Sequence, residues 1–262
     1  MQHWFDEYTT NFSSTDRNIQ QNFEMKILHT KEVVKNINQL SSLLSLDKQG
    51  LALAGISALF HDIGRFEQFQ RYKTFADKFS TDHGELGVEI LQRYKVLEIL
   101  AKEDKDIVLS AIKWHNKLEI PPTLDTKTDF FARLLRDADK LDIFRIVTEY
   151  YHKLATESDQ NSAIVLGLPN NDKYSEEIIE EILEGKIVKS QNLKTVNDFK
   201  LLQMAWVFDI NFQPTFQILH QKKYIEKIFL SLPDDKNINH VYEVIKNHLD
   251  RNCKRKNNYI VF

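Results

Sequence analysis

The chain has a single cysteine in 262 residues, Cys253, so no intrachain disulfide can staple the fold. That usage fits a reducing compartment, and a cytoplasmic location is expected. Glycine (7) and proline (5) are both scarce. An all-β sandwich needs a turn roughly every ten residues, and these two residues supply most turns, so long helices with short connections are favoured instead. No apolar run approaches the ~18 residues of a membrane span, and the segment MQHWFDEYTT lacks the apolar core of a secretion signal. Excess positive charge is missing too. The formal net charge is −3, and neither half of the chain gathers basic residues as a nucleic-acid footprint requires. The one basic cluster, Arg251, Lys254, Arg255 and Lys256, reads as a solvated tail. Neither a membrane nor a nucleic-acid polymer is therefore expected as a partner.

What is present is a globular composition, 42% hydrophobic and 28% charged, long enough for one large domain or a domain with an extension. Ile19, Phe23, Ile27, Val34 and Ile37 recur at three- and four-residue spacing and predict a helix over 17–46, with Asp16 as its N-cap. Residues 50–62, GLALAGISALFHD, are apolar almost all round, as in a buried central helix. Gly64 stands where a left-handed C-cap residue belongs. Residues 65–82 read as a loop with a short helix, in which Phe66, Phe69, Tyr72, Phe75 and Phe79 pin the segment to a core. Further helices are expected at 83–101, 104–117 (stopped by Pro121-Pro122) and 128–154. Residues 155–174 read as a connection, followed by helices at 175–186, 194–212, 214–231 and 236–250. Within 205–212, Trp206, Phe208 and Phe212 point to burial, with Asp209 as a polar group needing a partner. The expected fold is all-α: a helical core over 1–154 and a packed helical extension over 155–262.

Of nine histidines, His3, His152, His220, His240 and His248 accompany no ligand pattern. His29, His61, His83 and His115 fall on or beside four separate predicted helices. His61-Asp62 ends the apolar helix, where an imidazole and a carboxylate are costly unless something pairs with them. A divalent cation does so, and this donor pair suits Mn, Fe, Co, Ni or Zn. The dipeptide alone also fits a plain helix end, where His61 caps carbonyls and Asp62 starts a turn.

The wider pattern is more specific. His61-Asp62-Ile63-Gly64 spells HDIG, His29 precedes it, and Leu135-Arg136-Asp137-Ala138-Asp139-Lys140-Leu141-Asp142 follows. Over roughly residues 20–150 this resembles the HD-domain superfamily of metal-dependent phosphohydrolases, built as a helical bundle. The resemblance implies His29, His61, Asp62 and Asp139 as metal ligands. Asp142 shares a face with Asp139, whereas Asp137 is turned away, so Asp142 is expected to support a ligand or form a salt bridge. His83, in TDHGE, and His115, in IKWHN, occupy the places where some HD proteins bind a second metal through two extra histidines, with Asp62 bridging. Each would more often be structural if it stood alone. The segment HDIGRFEQFQRYKTFADKFSTDHGELG is also similar to a group of bacterial HD proteins of uncertain function.

The implied chemistry is hydrolysis of a small phosphorylated substrate, a nucleotide or other phosphoester, by a metal-activated water. Two divalent ions (Fe, Mn, Ni, Co, Zn or Mg) would share Asp62 at the usual spacing of roughly 3.5–4 Å. Lys140 and Arg65 are candidate phosphate contacts, the latter from the loop; a surface arginine at a helix end is the competing reading. An HD-type di-iron oxygenase cleaving a C–C or C–P bond has an overlapping ligand set. A nucleotide-binding sensor without turnover is the third reading, weakened because no ligand position is substituted. The glycine-tyrosine-proline element of cyclic-dinucleotide phosphodiesterases is absent after His115, where the chain reads NKLEIPP. The size and extra domains of alarmone hydrolases are absent as well.

Overall fold

The computed structural model describes residues 1–154, 165 and 167–255. Among these residues the regular structure is entirely helical. The connection expected over 155–174 falls partly outside the described residues, at 155–164 and 166, as does Lys256 of the basic cluster.

The chain divides into two compact units, and the division falls between Asp142 and Ile143. The first unit holds α1 (Gln2–Thr10), α2 (Arg17–Leu43), α3 (Lys48–Phe60), α4 (Gly64–Tyr72), α5 (His83–Arg93), α6 (Lys102–Trp114) and the start of α7 (Thr126–Leu154). Aspartates set most of the starts. Asp16 accepts hydrogen bonds from the Asn18 and Ile19 amides, Asp47 from Gly50, Asp82 from Glu85, and Asp125 from Lys127 and Thr128. Each satisfies amide groups that a helix start leaves unpaired. The buried helix α3 packs on α2 and α6, α4 packs on α5, and α5 on α6. Val33, Ile37, Leu40, Ala54, Ala58, Phe60 and Ile112 fill the space between them.

Several expectations are corrected. Helix α1 has no counterpart among the expected helices, because it is too short for periodicity to show. Phe5 is nonetheless 1% exposed, and the Tyr8 hydroxyl donates to buried Glu67 at 3.0 Å. Helix α5 ends at Arg93, not near 101, because Lys95 adopts φ +53°. The Val96 amide then bonds the Leu91 carbonyl and Lys95 that of Gln92, which closes the helix as a Schellman motif. Gly64 is not a left-handed cap. It is the first residue of α4, and a β-carbon there would lie 2.2 Å from the His83 carbonyl oxygen and 2.8 Å from the Gly87 nitrogen. Glycine is needed for the close approach of α4 to α5. Of the five aromatics in 66–79, Phe66 and Phe69 are core residues, whereas Tyr72 and Phe79 are exposed.

The second unit holds the rest of α7, then α8 (Glu176–Leu183), α9 (Val196–Ala205), α10 (Gln213–Lys222), α11 (Tyr224–Phe229) and α12 (Lys236–Cys253). Helix α12 packs on α8, α10 and α11, and α9 on α8 and α11. The single helix expected over 214–231 is two, broken at Lys223 with φ +54°. Buried Leu219 and Tyr224 are five positions apart, about 140° round an unbroken helix, and the break lets both face inward. The helix expected over 194–212 stops at Ala205 and gives way to a 3₁₀ turn, Trp206–Asp209. Phe212 is fully buried there, while Trp206, Phe208 and Asp209 are half-buried. No described helix is long and apolar enough to cross a membrane.

Candidate metal centre

Six side chains from the first unit converge. His29 projects from the middle of α2, His61 caps the C-terminus of α3, and Asp62 lies in the turn between α3 and α4. His83 opens α5, His115 caps α6, and Asp139 lies on α7. The four rings and Asp62 are all buried. They form two groups of possible metal ligands: His29, His61 and Asp139, and Asp62, His83 and His115.

In the first group His29 Nε2 is 3.2 Å from His61 Nε2 and 3.0 Å from Asp139 Oδ1. In the second, His83 Nε2 and His115 Nε2 are 3.0 Å apart. Asp62 faces both groups. Its Oδ2 is 3.6 and 3.7 Å from the Nε2 atoms of His29 and His61. Its Oδ1 is 3.3 and 3.9 Å from those of His83 and His115. Ligands on a metal with bonds of about 2.1 Å lie roughly 3.0–3.4 Å apart. The His29–His61, His29–Asp139, His83–His115 and Asp62–His83 separations match this, while the other three Asp62 separations, 3.6–3.9 Å, are wider.

The donor chemistry fits a cation for a second reason. Every ring has an acceptor behind its Nδ1. His61 donates to the Ala58 carbonyl at 2.8 Å and His115 to the Ile112 carbonyl at 2.7 Å. A carbonyl can only accept, so these rings carry their proton on Nδ1 and aim the Nε2 lone pair inward. His29 Nδ1 faces Asp142 Oδ2 at 2.7 Å, and His83 Nδ1 faces Asp77 Oδ2 at 2.7 Å. Such partners orient metal-binding histidines and raise their basicity. Asp139 Oδ1 is a buried atom near His29 Nε2 but without a hydrogen bond of proper direction. Facing lone pairs and an orphaned carboxylate oxygen suit a shared cation.

The electrostatics agree. Burial pushes the pKa of His61 and that of His83 down to about 4, which keeps both rings neutral and able to ligate. Burial also opposes charge on His29, but the carboxylates of Asp139 and Asp142, one beside each ring nitrogen, outweigh it and raise that ring to about 9. The same two carboxylates favour a metal cation there. Asp62 is held well below the usual carboxylate range: burial acts against this, and the positive charges of Lys26 and Arg65 beside it help to overcome it.

Arg65 is brought to this cluster, but from the first turn of α4 rather than from a loop. Its Nη1 donates to Gln68 Oε1 and Asp77 Oδ1, both at 2.9 Å, and to the Phe75 carbonyl, while Nε lies 3.4 Å from Asp62 Oδ1. Lys140 is buried on α7, turned about 100° round the helix from its neighbour Asp139. Asp142 supports His29, as its place on the Asp139 face predicts.

Sequence reasoning missed two contributors. Lys26 Nζ donates to Asp62 Oδ2 at 2.8 Å; its signal was its position one turn before His29 on the same helix face. Asp77 accepts from Arg65, Gln68, His83 and Asn116. Burial acts to raise its pKa, but His83 and Arg65 bring it well below the ordinary value. It lies in an irregular segment where no periodicity marks it.

No curated protein and no solved structure matches the chain. Residues 26–143 match the family model of the HD domain, a stretch that contains all six converging side chains, and this segment is accordingly an HD domain.

Proposed function

We propose that the first unit is a metal-dependent phosphohydrolase that binds two divalent ions and cleaves a small phosphorylated substrate, a nucleotide or other phosphoester. The carrying observation is the division of Asp62, whose Oδ2 faces one histidine pair and whose Oδ1 faces the other. A carboxylate so placed supports a shared ligand between two metal positions. Bound divalent ions supply a water with a pKa lowered toward neutrality and offset charge on phosphoryl oxygens.

The chain's own residues do the rest. The partners behind Nδ1 fix all four rings before substrate arrives, so little reorganisation is left to the reaction. Burial of the rings keeps bulk water away and strengthens each charge. Lys26 and Arg65 place two positive charges beside Asp62, on groups suited to bind phosphoryl oxygens. Lys140 is the third candidate cation.

Metal content measured by mass spectrometry, on protein purified without added metal or chelator, should be about two equivalents per chain. Replacing both His61 and Asp62 by alanine should remove them, and full retention of metal would sink the assignment. Phosphate release from nucleoside monophosphates and simple phosphoesters should need the metal and be lost with a chelator. Lys140→Ala should keep the metal and slow turnover; unchanged turnover would remove Lys140 from the mechanism. Iron-loaded protein that consumes oxygen and releases no phosphate would instead support the oxygenase reading.

A further inference from the structure

The two ligand groups are supported in different ways. Behind His29 stands Asp142, 1% exposed and carried by the long helix α7. Behind His83 stands Asp77, whose side chain is 31% exposed. Asp77 belongs to a three-residue 3₁₀ turn that ends in exposed Phe79. The groups also differ in donors. Counting Asp62 Oδ2, the first offers four atoms, those of His29, His61, Asp139 and Asp62. The second offers three, from Asp62, His83 and His115.

Charge adds to the difference. Asp139 brings a full carboxylate to the first group. Each group has one cation beside its Asp62 oxygen, Lys26 Nζ 2.8 Å from Oδ2 at the first and Arg65 Nε 3.4 Å from Oδ1 at the second, so the extra carboxylate of Asp139 leaves the first group the more negative. Asp77 offsets the charge of Arg65 through a 2.9 Å ion pair and at the same time orients His83. The Asn116 amide, beside His115, also donates to Asp77 at 3.1 Å.

We infer that the two metal positions are unequal, with a tight one at His29, His61 and Asp139 and an exchangeable one at His83 and His115, and that Asp77 is the positioning residue on which the second depends. This rests on the two-metal reading above. Loss of Asp77 leaves His83 without its orienting acceptor and takes from Arg65 the closer of its two carboxylate partners. Both effects fall on the second position, and neither touches the helix-borne partners of the first.

The test is a calorimetric Co²⁺ titration of the full chain, with visible absorption of the bound Co²⁺ recorded at each step. The wild type should bind in two steps whose affinities differ by about tenfold or more. Asp77→Ala should weaken the second step by about 10–100-fold, the usual effect of losing a partner behind a metal ligand. The first step and its absorption should stay the same. Asp77→Asn keeps an acceptor oxygen for His83 but not the charge, so its loss should be smaller, and it serves if the alanine variant folds poorly. His83→Gln should abolish the second step and spare the first. Two equal steps, an equal loss at both steps in the Asp77 variants, or loss of the first step in His83→Gln would overturn the inference and leave the metal-site reading standing. Wild-type protein that binds one Co²⁺ or none would overturn both.

Discussion

Gly64, the last residue of the HDIG motif, offers a sharp test of how the site is built. A β-carbon there would meet backbone, not a side chain that can swing away: the His83 carbonyl oxygen at 2.2 Å and the Gly87 nitrogen at 2.8 Å. Restoring van der Waals contact requires α4 and α5 to part by about 1 Å, which such overpacking makes costly at about 3 kcal/mol. Alanine returns at most about 1 kcal/mol through its better helix propensity. The net loss for Gly64→Ala is therefore about 2 kcal/mol. Unfolding entropy of about 2 cal/mol/K per residue gives the first unit roughly 0.3 kcal/mol/K, so its Tm should fall by about 7 °C. The same shift moves His83, whose Nε2 must stay near His115 and Asp62, and metal positions tolerate only about 0.2 Å. The variant should lose metal from the His83 group even where it remains folded. Gly55→Ala is the control, because its β-carbon would meet only Asn38 Oδ1 at an ordinary 3.7 Å. That variant should gain about 0.5–1 kcal/mol and melt about 2–3 °C higher. Calorimetry and metal analysis on both decide the matter. A Gly64→Ala protein that melts like the wild type with its full metal content would refute the close-approach argument.

Other perturbations test the fold elsewhere. Burial pushes Lys200 down to about 8, and its Nζ donates to the Ser231 carbonyl. The unfolded chain, with an ordinary lysine pKa of about 10.4, binds more protons than the folded one between those values, so this group makes stability rise with pH across that window, by about 3 kcal/mol in all. Chemical denaturation at pH 7.5 and 10 should show that rise diminished in Lys200→Met; an identical pH dependence in the two proteins would refute it. Asp16→Ala removes the acceptor for two amides at the start of α2 and should cost about 1 kcal/mol in a denaturant melt, whereas no change would mean that water replaces the cap without loss. Asp142→Ala strips His29 of its orienting carboxylate and should weaken metal binding by about 10–100-fold, read by competition with a chromogenic chelator; undiminished affinity would show that α2 alone orients the ring.

The positions of the helices are legible in the sequence wherever an apolar stripe is long, and their ends are legible wherever aspartate stands before them. The stops are harder to read. With so few glycines, this chain closes helices on residues that carry no such signal: Ser45, Lys73, Lys95 and Lys223 all take positive φ. That is why periodicity extends the helices over 83–101 and 214–231 beyond their real ends. The HDIG glycine misleads for the opposite reason, since glycine usually marks a left-handed turn and here marks two backbones in near contact. The histidines and Asp139 are legible from motif order. Asp77 is not, because its role is defined by partners that only the fold brings together and by no local pattern.

The histidine cluster shows how ordinary helix geometry can prepare a metal site. His61 and His115 both stand at the C-termini of their helices, where the last carbonyls lack an amide partner. Each ring takes one of those carbonyls, three residues back, as the acceptor for its Nδ1 proton. The helix end thus gains a partner, and the ring gains a fixed tautomer with its Nε2 lone pair directed inward. His29 and His83 have no helix end behind them, and each has a carboxylate instead. Each ligand group therefore joins one ring backed by a carbonyl to one backed by a carboxylate. In both, the two rings are 32 residues apart in sequence. Because the carbonyl-backed rings are held by backbone, substitution can uncouple only the carboxylate-backed ones, which makes Asp142 and Asp77 the side chains through which each position can be tuned separately.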